Sequence, residues 1–104
     1  MGPRHRRVIW SEGATVELDA AIGYVAEDAP SSAARLLERV LDAAASLADL
    51  SDRGRVVPER QDPTIRELLV EPFRLLYKVR DTEVIVLGLI HQRQDYGRWR
   101  DSRP

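Results

Sequence analysis

Phe73-Arg74-Leu75-Leu76-Tyr77-Lys78-Val79-Arg80 is the stretch whose reading decides the fold. Phe73, Leu75, Tyr77 and Val79 fall on one face of an alternating pattern. Arg74, Lys78 and Arg80 fall on the other, with Leu76 as its single apolar member. A period of two, rich in aromatic and β-branched residues, predicts a strand buried on one side. The other side then carries a row of cations on a flat platform. It serves either as a solvated sheet face or as a docking surface for an anionic group.

Working outward, Ile65–Glu71 predicts a strand before this one. Glu71-Pro72 predicts a tight turn, and Asp81-Thr82 a second. Glu83–His91 is apolar on both faces, as expected of a strand that is central or covered on both sides. Three strands joined by tight turns form an antiparallel meander. Upstream, Ser51–Thr64 reads as a loop, with an extended piece at Val56-Val57.

The first half is helical. Ser11 is an N-cap candidate with Glu12 in the first turn. Ala14, Leu18, Ala21, Ile22 and Val25 share one face of a helix reaching about Asp28. Pro30 opens a second helix running to about Leu50, with Ala33, Leu37, Val40, Ala44 and Leu47 on its apolar face. The short link predicts an antiparallel helical hairpin. Arg6–Trp10 predicts a first strand lying beside the last, long one. The expected fold class is α+β, in the order β-α-α-β-β-β. The hairpin packs on one face of a small, mainly antiparallel sheet, and the opposite face stays open. Residues 1–104 form a single domain by length, with 1–5 and 100–104 as loose tails.

Composition limits the function. The 104 residues carry 16 basic and 17 acidic side chains, a net charge of −1, and no cysteine. A near-neutral total argues against non-specific coating of nucleic acid. The charge is uneven, however. Residues 11–50 hold eight acids against two arginines, and residues 51–104 hold eleven basic residues against nine acids. No stretch reaches the roughly 20 apolar residues of a membrane helix, and no apolar run follows the basic start. A cytoplasmic protein with no membrane partner is expected.

Two groups of residues invite chemistry. Arg74 either pairs with Glu67 on the neighbouring strand or forks a phosphate or carboxylate. With Glu71-Pro72 as the turn, Leu69 faces Arg74 and Glu67 lies one diagonal step away. His91 is followed by Arg93, Asp95 and Tyr96. That is either a hydrogen-bonded strand end or a set of acid/base, cationic and stacking groups. Trp10 and Trp99 are expected to pack rather than to bind a ligand. Neither His5 nor His91 has metal-ligand spacing, and no nucleophile triad or phosphate loop is present. No metal or cofactor is expected.

Several segments, in order and spacing, resemble the RelE/ParE superfamily of type II toxin–antitoxin toxins. They are Ala20–Ala26, Asp28-Ala29-Pro30, Ala33-Ala34, Gly54-Arg55, Ile65–Leu68, Phe73–Val79 and Ile90–Asp95. The last three are more similar to the ParE branch. That branch implies a plasmid-stabilising toxin that arrests growth by binding DNA gyrase, without catalytic residues. The RelE branch implies a ribosome-dependent mRNA endonuclease. Arg74 then matches its strand arginine, and His91, Arg93 and Tyr96 supply the rest. Against that, the chain holds one lysine and is slightly acidic. The gyrase-directed reading is therefore preferred, with a target-binding surface of Arg66, Arg74, Lys78, Arg80, Arg93 and Arg98. A non-toxic interaction module on the same scaffold is the third reading. Either branch implies a cognate antitoxin docking over the hairpin and sheet edge, with a dimer or a heterotetramer as the assembly.

Overall fold

The alternation of residues 73–79 places this strand in the middle of a five-stranded sheet. The structure, a computed structural model, describes residues 5–102. In chain order it runs β1 (Arg7–Trp10), α1 (Glu12–Ala26), α2 (Pro30–Ser46), β2 (Arg55–Val56), β3 (Ile65–Val70), β4 (Phe73–Val79), β5 (Glu83–His91) and α3 (Tyr96–Asp101). The sheet order is β1-β5-β4-β3-β2. β3, β4 and β5 form the expected antiparallel meander, and β1 lies parallel to β5. Val70 faces Phe73 and Leu69 faces Arg74 across the Glu71-Pro72 turn, as the spacing requires.

Each helix begins for a local reason. Ser11 caps α1, its hydroxyl accepting the Ala14 N–H at 3.1 Å. Pro30 sits at the first turn of α2, where its missing N–H costs nothing. α2 stops at Ser46, one turn before the expected Leu50. There Leu47 N–H bonds to Ala44 O and Ala48 N–H to Ala45 O, a tightened i→i+3 turn. Leu47 is fully buried at that turn, and Arg6 N–H holds the Ala48 carbonyl at 2.7 Å. Tertiary contacts, not helical period, set the end.

The main core lies between the hairpin and the sheet. Leu18, Leu36, Val40 and Leu47 meet Leu75, Tyr77, Val84 and Val86 there. Burying one such side chain contributes about 1.5–3 kcal/mol. Tyr77 is fully buried with its hydroxyl satisfied: it donates to Ser51 O at 2.9 Å and accepts from Gly54 N at 2.8 Å.

The opposite sheet face is not open, which corrects the sequence reading. Val57, Ile65, Leu76 and Ile90 form a second core there, closed by Tyr96 and Trp99 of α3. Asp95 caps this short helix by accepting the Arg98 N–H at 3.1 Å. One turn then sets Tyr96 and Trp99 side by side, with ring centroids 5.5 Å apart. Both tryptophans pack, as expected: Trp10 against the main core, Trp99 in the second. The ends expected to be loose are partly tied. His5 hydrogen-bonds Asp49 at 2.8 Å, and the chain is helical through Asp101. Residues 1–4 and 103–104 of those tails lie outside the described residues.

A slip in β5 reconciles its continuous apolar run with two cores. Leu76 pairs with Gly88 and Tyr77 with Val86, so Leu87 has no partner in the β4 ladder. Val84, Val86 and Leu89 join the main core, while Leu87 and Ile90 join the second.

Candidate functional site

Arg74, the second residue of β4, lies on the α3 face, paired across the ladder with Ile90. Its side chain is only 13% exposed and its Nε donates to Glu67 Oε2 at 2.5 Å. Nη2 reaches Glu59 Oε1 at 3.3 Å. Its Cζ lies 5.9 Å from the Tyr96 ring centroid, at the edge of cation–π range. Glu67, 5% exposed, is shared: Arg55 donates to its Oε1 at 2.9 Å. Burial opposes the Arg74 charge. The hydrogen bond and field of Glu67, then those of Glu59, outweigh it and hold the guanidinium above its ordinary pKa. Of the two readings of Arg74, the pair with Glu67 is the one the structure adopts. Arg55 and Glu59 complete the cluster. Neither pairing is visible in the sequence: the β2–β3 register sets Arg55 opposite Glu67, and the loop after β2 brings Glu59 to Arg74.

The four residues expected for the endonuclease reading, Arg74, His91, Arg93 and Tyr96, do not all meet at one point. His91 pairs with Phe73 and meets its ring edge-on at 5.8 Å, on the hairpin side of the sheet. Arg74 and Tyr96 lie on the other side. The slip at Leu87 decides this, since it sets which face the end of β5 presents. Arg93 lies in the exposed turn beyond. Its backbone N–H donates to His91 Nδ1 at 3.2 Å, so one imidazole nitrogen is occupied as an acceptor.

The six expected target-binding cations are likewise dispersed. Arg66 lies opposite Tyr77 on the hairpin face, and its Nη1 donates to Gly54 O at 2.7 Å. Arg80 stands past the far end of β4, its carbonyl accepting Arg6 Nε at 2.7 Å, with Glu83 at 3.9 Å. Arg93 and Arg98 are exposed beyond β5. Of these strand cations only Arg74 and Lys78 share the α3 face, because the two-residue period that puts Glu67 there turns Arg66 to the hairpin side, and Arg80 lies beyond the end of β4.

Two grooves open on that face. One, about 670 Å³, runs beside Arg53, Arg55 and Arg74 and is lined also by Glu59 and Glu67. The other, about 430 Å³, lies between the start of α1, Lys78 and α3. A residue missed in the sequence joins these elements. Glu17 of α1 accepts the Leu89 backbone N–H at 3.0 Å and the Trp99 indole N–H at 2.7 Å. β1 ends at Trp10 opposite Val86, so a carboxylate takes over the β5 edge beyond it. Among the described residues, no group of three or more His, Asp or Glu side chains is placed to hold a metal ion, and no helix is long and apolar enough to cross a membrane.

Comparison with known proteins follows the same architecture. Residues 8–96 match the family described as the ParE toxin of the type II toxin–antitoxin system, parDE. Toxin RelE2 of Caulobacter vibrioides is 34% identical over 86 residues, spanning 82% of this chain and 93% of that protein. A chain of the chromosomal ParDE system from P. aeruginosa superposes with a TM-score of 0.70 at 21% identity, covering 84% of this chain and 96% of that one. A chain of the toxin–antitoxin complex RelBE2 from Mycobacterium tuberculosis gives 0.61 at 22% identity, covering 90% and 97%. At such identities the two structures speak to the fold alone.

Proposed function

The chain belongs to the ParE toxin family of type II toxin–antitoxin systems, and from that premise we propose that it arrests growth by binding DNA gyrase, without cutting RNA, and is neutralised by a cognate antitoxin. One observation carries the choice of target. Arg74, the residue that matches the strand arginine of the endonuclease branch, is held by Glu67 and Glu59 beneath Tyr96, while His91 lies across the sheet. A guanidinium bound by two carboxylates is poorly placed to take a scissile phosphate, because the phosphate must displace both. Acid/base groups on opposite faces of a sheet cannot reach one reacting centre.

The hairpin and the β3 edge suit an antitoxin segment. α1 presents Val16, 62% exposed, and Tyr24, 77% exposed, on its outer side. β2 pairs only with Glu67 and Arg66, leaving β3 beyond Glu67 at the sheet edge with Leu69 exposed. With eight acids against two arginines in residues 11–50, this surface favours a helix and strand carrying basic flanks.

Purified chain added to gyrase should inhibit supercoiling and leave translated messages intact. Codon-positioned cuts in a translating extract, with supercoiling unaffected, would overturn the proposal. An Arg74→Ala variant belongs in both assays alongside a thermal melt, because it also removes a partner of buried Glu67.

A further inference from the structure

We propose that the groove between the α1 start, Lys78 and α3 is the docking site for an acidic peptide segment carrying an apolar anchor, and that the target protein supplies it. The inference rests on the reading of this chain as a protein-binding toxin. Three cations stand around the groove, each on a different element: Arg60 in the loop before β3, Lys78 on β4 and Arg100 on α3. Ile65, Leu87 and Trp99 contribute its apolar wall. No carboxylate lines it, in a chain whose acids outnumber its bases. The larger groove beside Arg74 is different, since Glu59 and Glu67 line it and answer its arginines. The groove with cations and no carboxylate in its wall is therefore the one around Lys78, with Asp62 and Asp101 standing outside its lining.

The nearby acids leave these cations available. Asp62 Oδ2 lies 3.9 Å from Arg60 and the same carboxylate feels the Lys78 charge, while its Oδ1 accepts the Thr64 N–H and hydroxyl at 2.9 and 2.7 Å. Asp101 is 3.3 Å from Arg100. The arginine side chains are 36% and 48% exposed, and ion pairs so exposed to water are weak enough to exchange for a partner's carboxylates. The start of α1, at Ser11 and Gly13, adds the positive end of a helix to one wall. A volume of about 430 Å³ accommodates one or two apolar side chains.

The aromatics decide between protein and nucleic acid. Tyr96 and Trp99 are buried at 4% and 6% exposure, their rings turned into the second core and toward each other. They offer no open face for a base to stack on, the feature that single-stranded nucleic acid needs. Cations around an apolar wall without a stacking platform match an acidic, apolar-anchored peptide.

The test uses the full chain and three probes: purified gyrase holoenzyme, a fluorescein-labelled peptide of alternating glutamate and leucine, and a single-stranded RNA oligonucleotide. Lys78→Glu and the milder Lys78→Gln are compared with Arg35→Glu, an equal charge change on the hairpin, after melts show all three folded. The expected result is anisotropy-detected peptide binding that weakens at least 10-fold in Lys78→Glu, less in Lys78→Gln and not in Arg35→Glu. It should weaken with added salt, and gyrase inhibition should fall in parallel. Absent peptide binding, equal binding by all variants, or RNA binding at Lys78 in preference to the peptide overturns the site. Wild-type inhibition of gyrase with unaltered Lys78 variants sinks the groove and leaves the gyrase reading standing. Peptide binding lost in Lys78→Glu, with no effect of the wild type on gyrase, sinks the gyrase reading and leaves the groove.

Discussion

Glu67 is the residue on which the α3 face turns. Its carboxylate is buried between Arg55 and Arg74, so removing it leaves the largely buried Arg74 side chain with the longer Glu59 contact alone. Glu67→Ala is expected to cost on the order of 3 kcal/mol in a denaturant melt. Arg55→Ala should cost well under that, because Arg55 is mostly in water. Gly54 makes a different kind of demand. A Cβ there would overlap the Glu67 carbonyl oxygen and lie 2.6 Å from the Tyr77 hydroxyl. Gly54→Ala must push backbone or a locked phenol aside, and a loss of roughly 1–3 kcal/mol is expected. Tyr77 adds a pH signature. Burial pushes its pKa above the ordinary tyrosine value, against the lowering pull of the Gly54 N–H. A raised folded-state pKa means that this contribution is complete below about pH 10 and is lost as pH rises through the folded value. Tyr77→Phe should lower stability at neutral pH by about 1–3 kcal/mol, through an unpaired Gly54 N–H. It should also show a shallower alkaline decline than wild type in melts taken above pH 10.

At the scale of elements, α3 is short and its hold on the sheet is tertiary. Six residues cannot sustain a helix in water. Trp99 burial and its indole bond to Glu17 anchor it. Trp99→Ala is expected to cost about 3–5 kcal/mol. Glu17→Ala should cost less, but it should raise amide exchange at Leu89 and across α3 together, because one carboxylate serves both. If exchange rises at Leu89 alone, Glu17 does not couple the two elements. This bond was illegible in the sequence: Glu17 reads as an off-face helix acid, and Trp99 lies 82 residues away.

Across the whole molecule, one sheet is shared by two cores. Trp10 borders the first and Trp99 belongs to the second. The strands between them carry side chains into both, so the two sides should unfold together. Trp10→Phe and Trp99→Phe variants leave one fluorescent reporter on each side. Within each variant, its fluorescence and circular dichroism midpoints should coincide. A fluorescence midpoint displaced from the circular dichroism midpoint in either would mean that the two cores melt separately. The charge is divided as the cores are, with an acidic hairpin on one side and the cation-rimmed groove on the other.

The sequence by itself determined the order of the first strand, the helical hairpin and the three main strands, the meander, the Leu69–Arg74 register and the diagonal placement of Glu67 beside Arg74. Each follows from local period, turn chemistry and spacing. It also carried the family likeness, which is spread over many segments. Only the tertiary structure decided what covers the second face, that His91 lies across the sheet from Arg74, and that Arg60, Lys78 and Arg100 gather around one groove with no carboxylate in its lining. Those depend on a slip at Leu87, on a helix too short to announce itself, and on acids brought from distant elements. No periodicity along the chain encodes which carboxylate will answer which arginine, because that is settled by contacts between residues far apart in sequence.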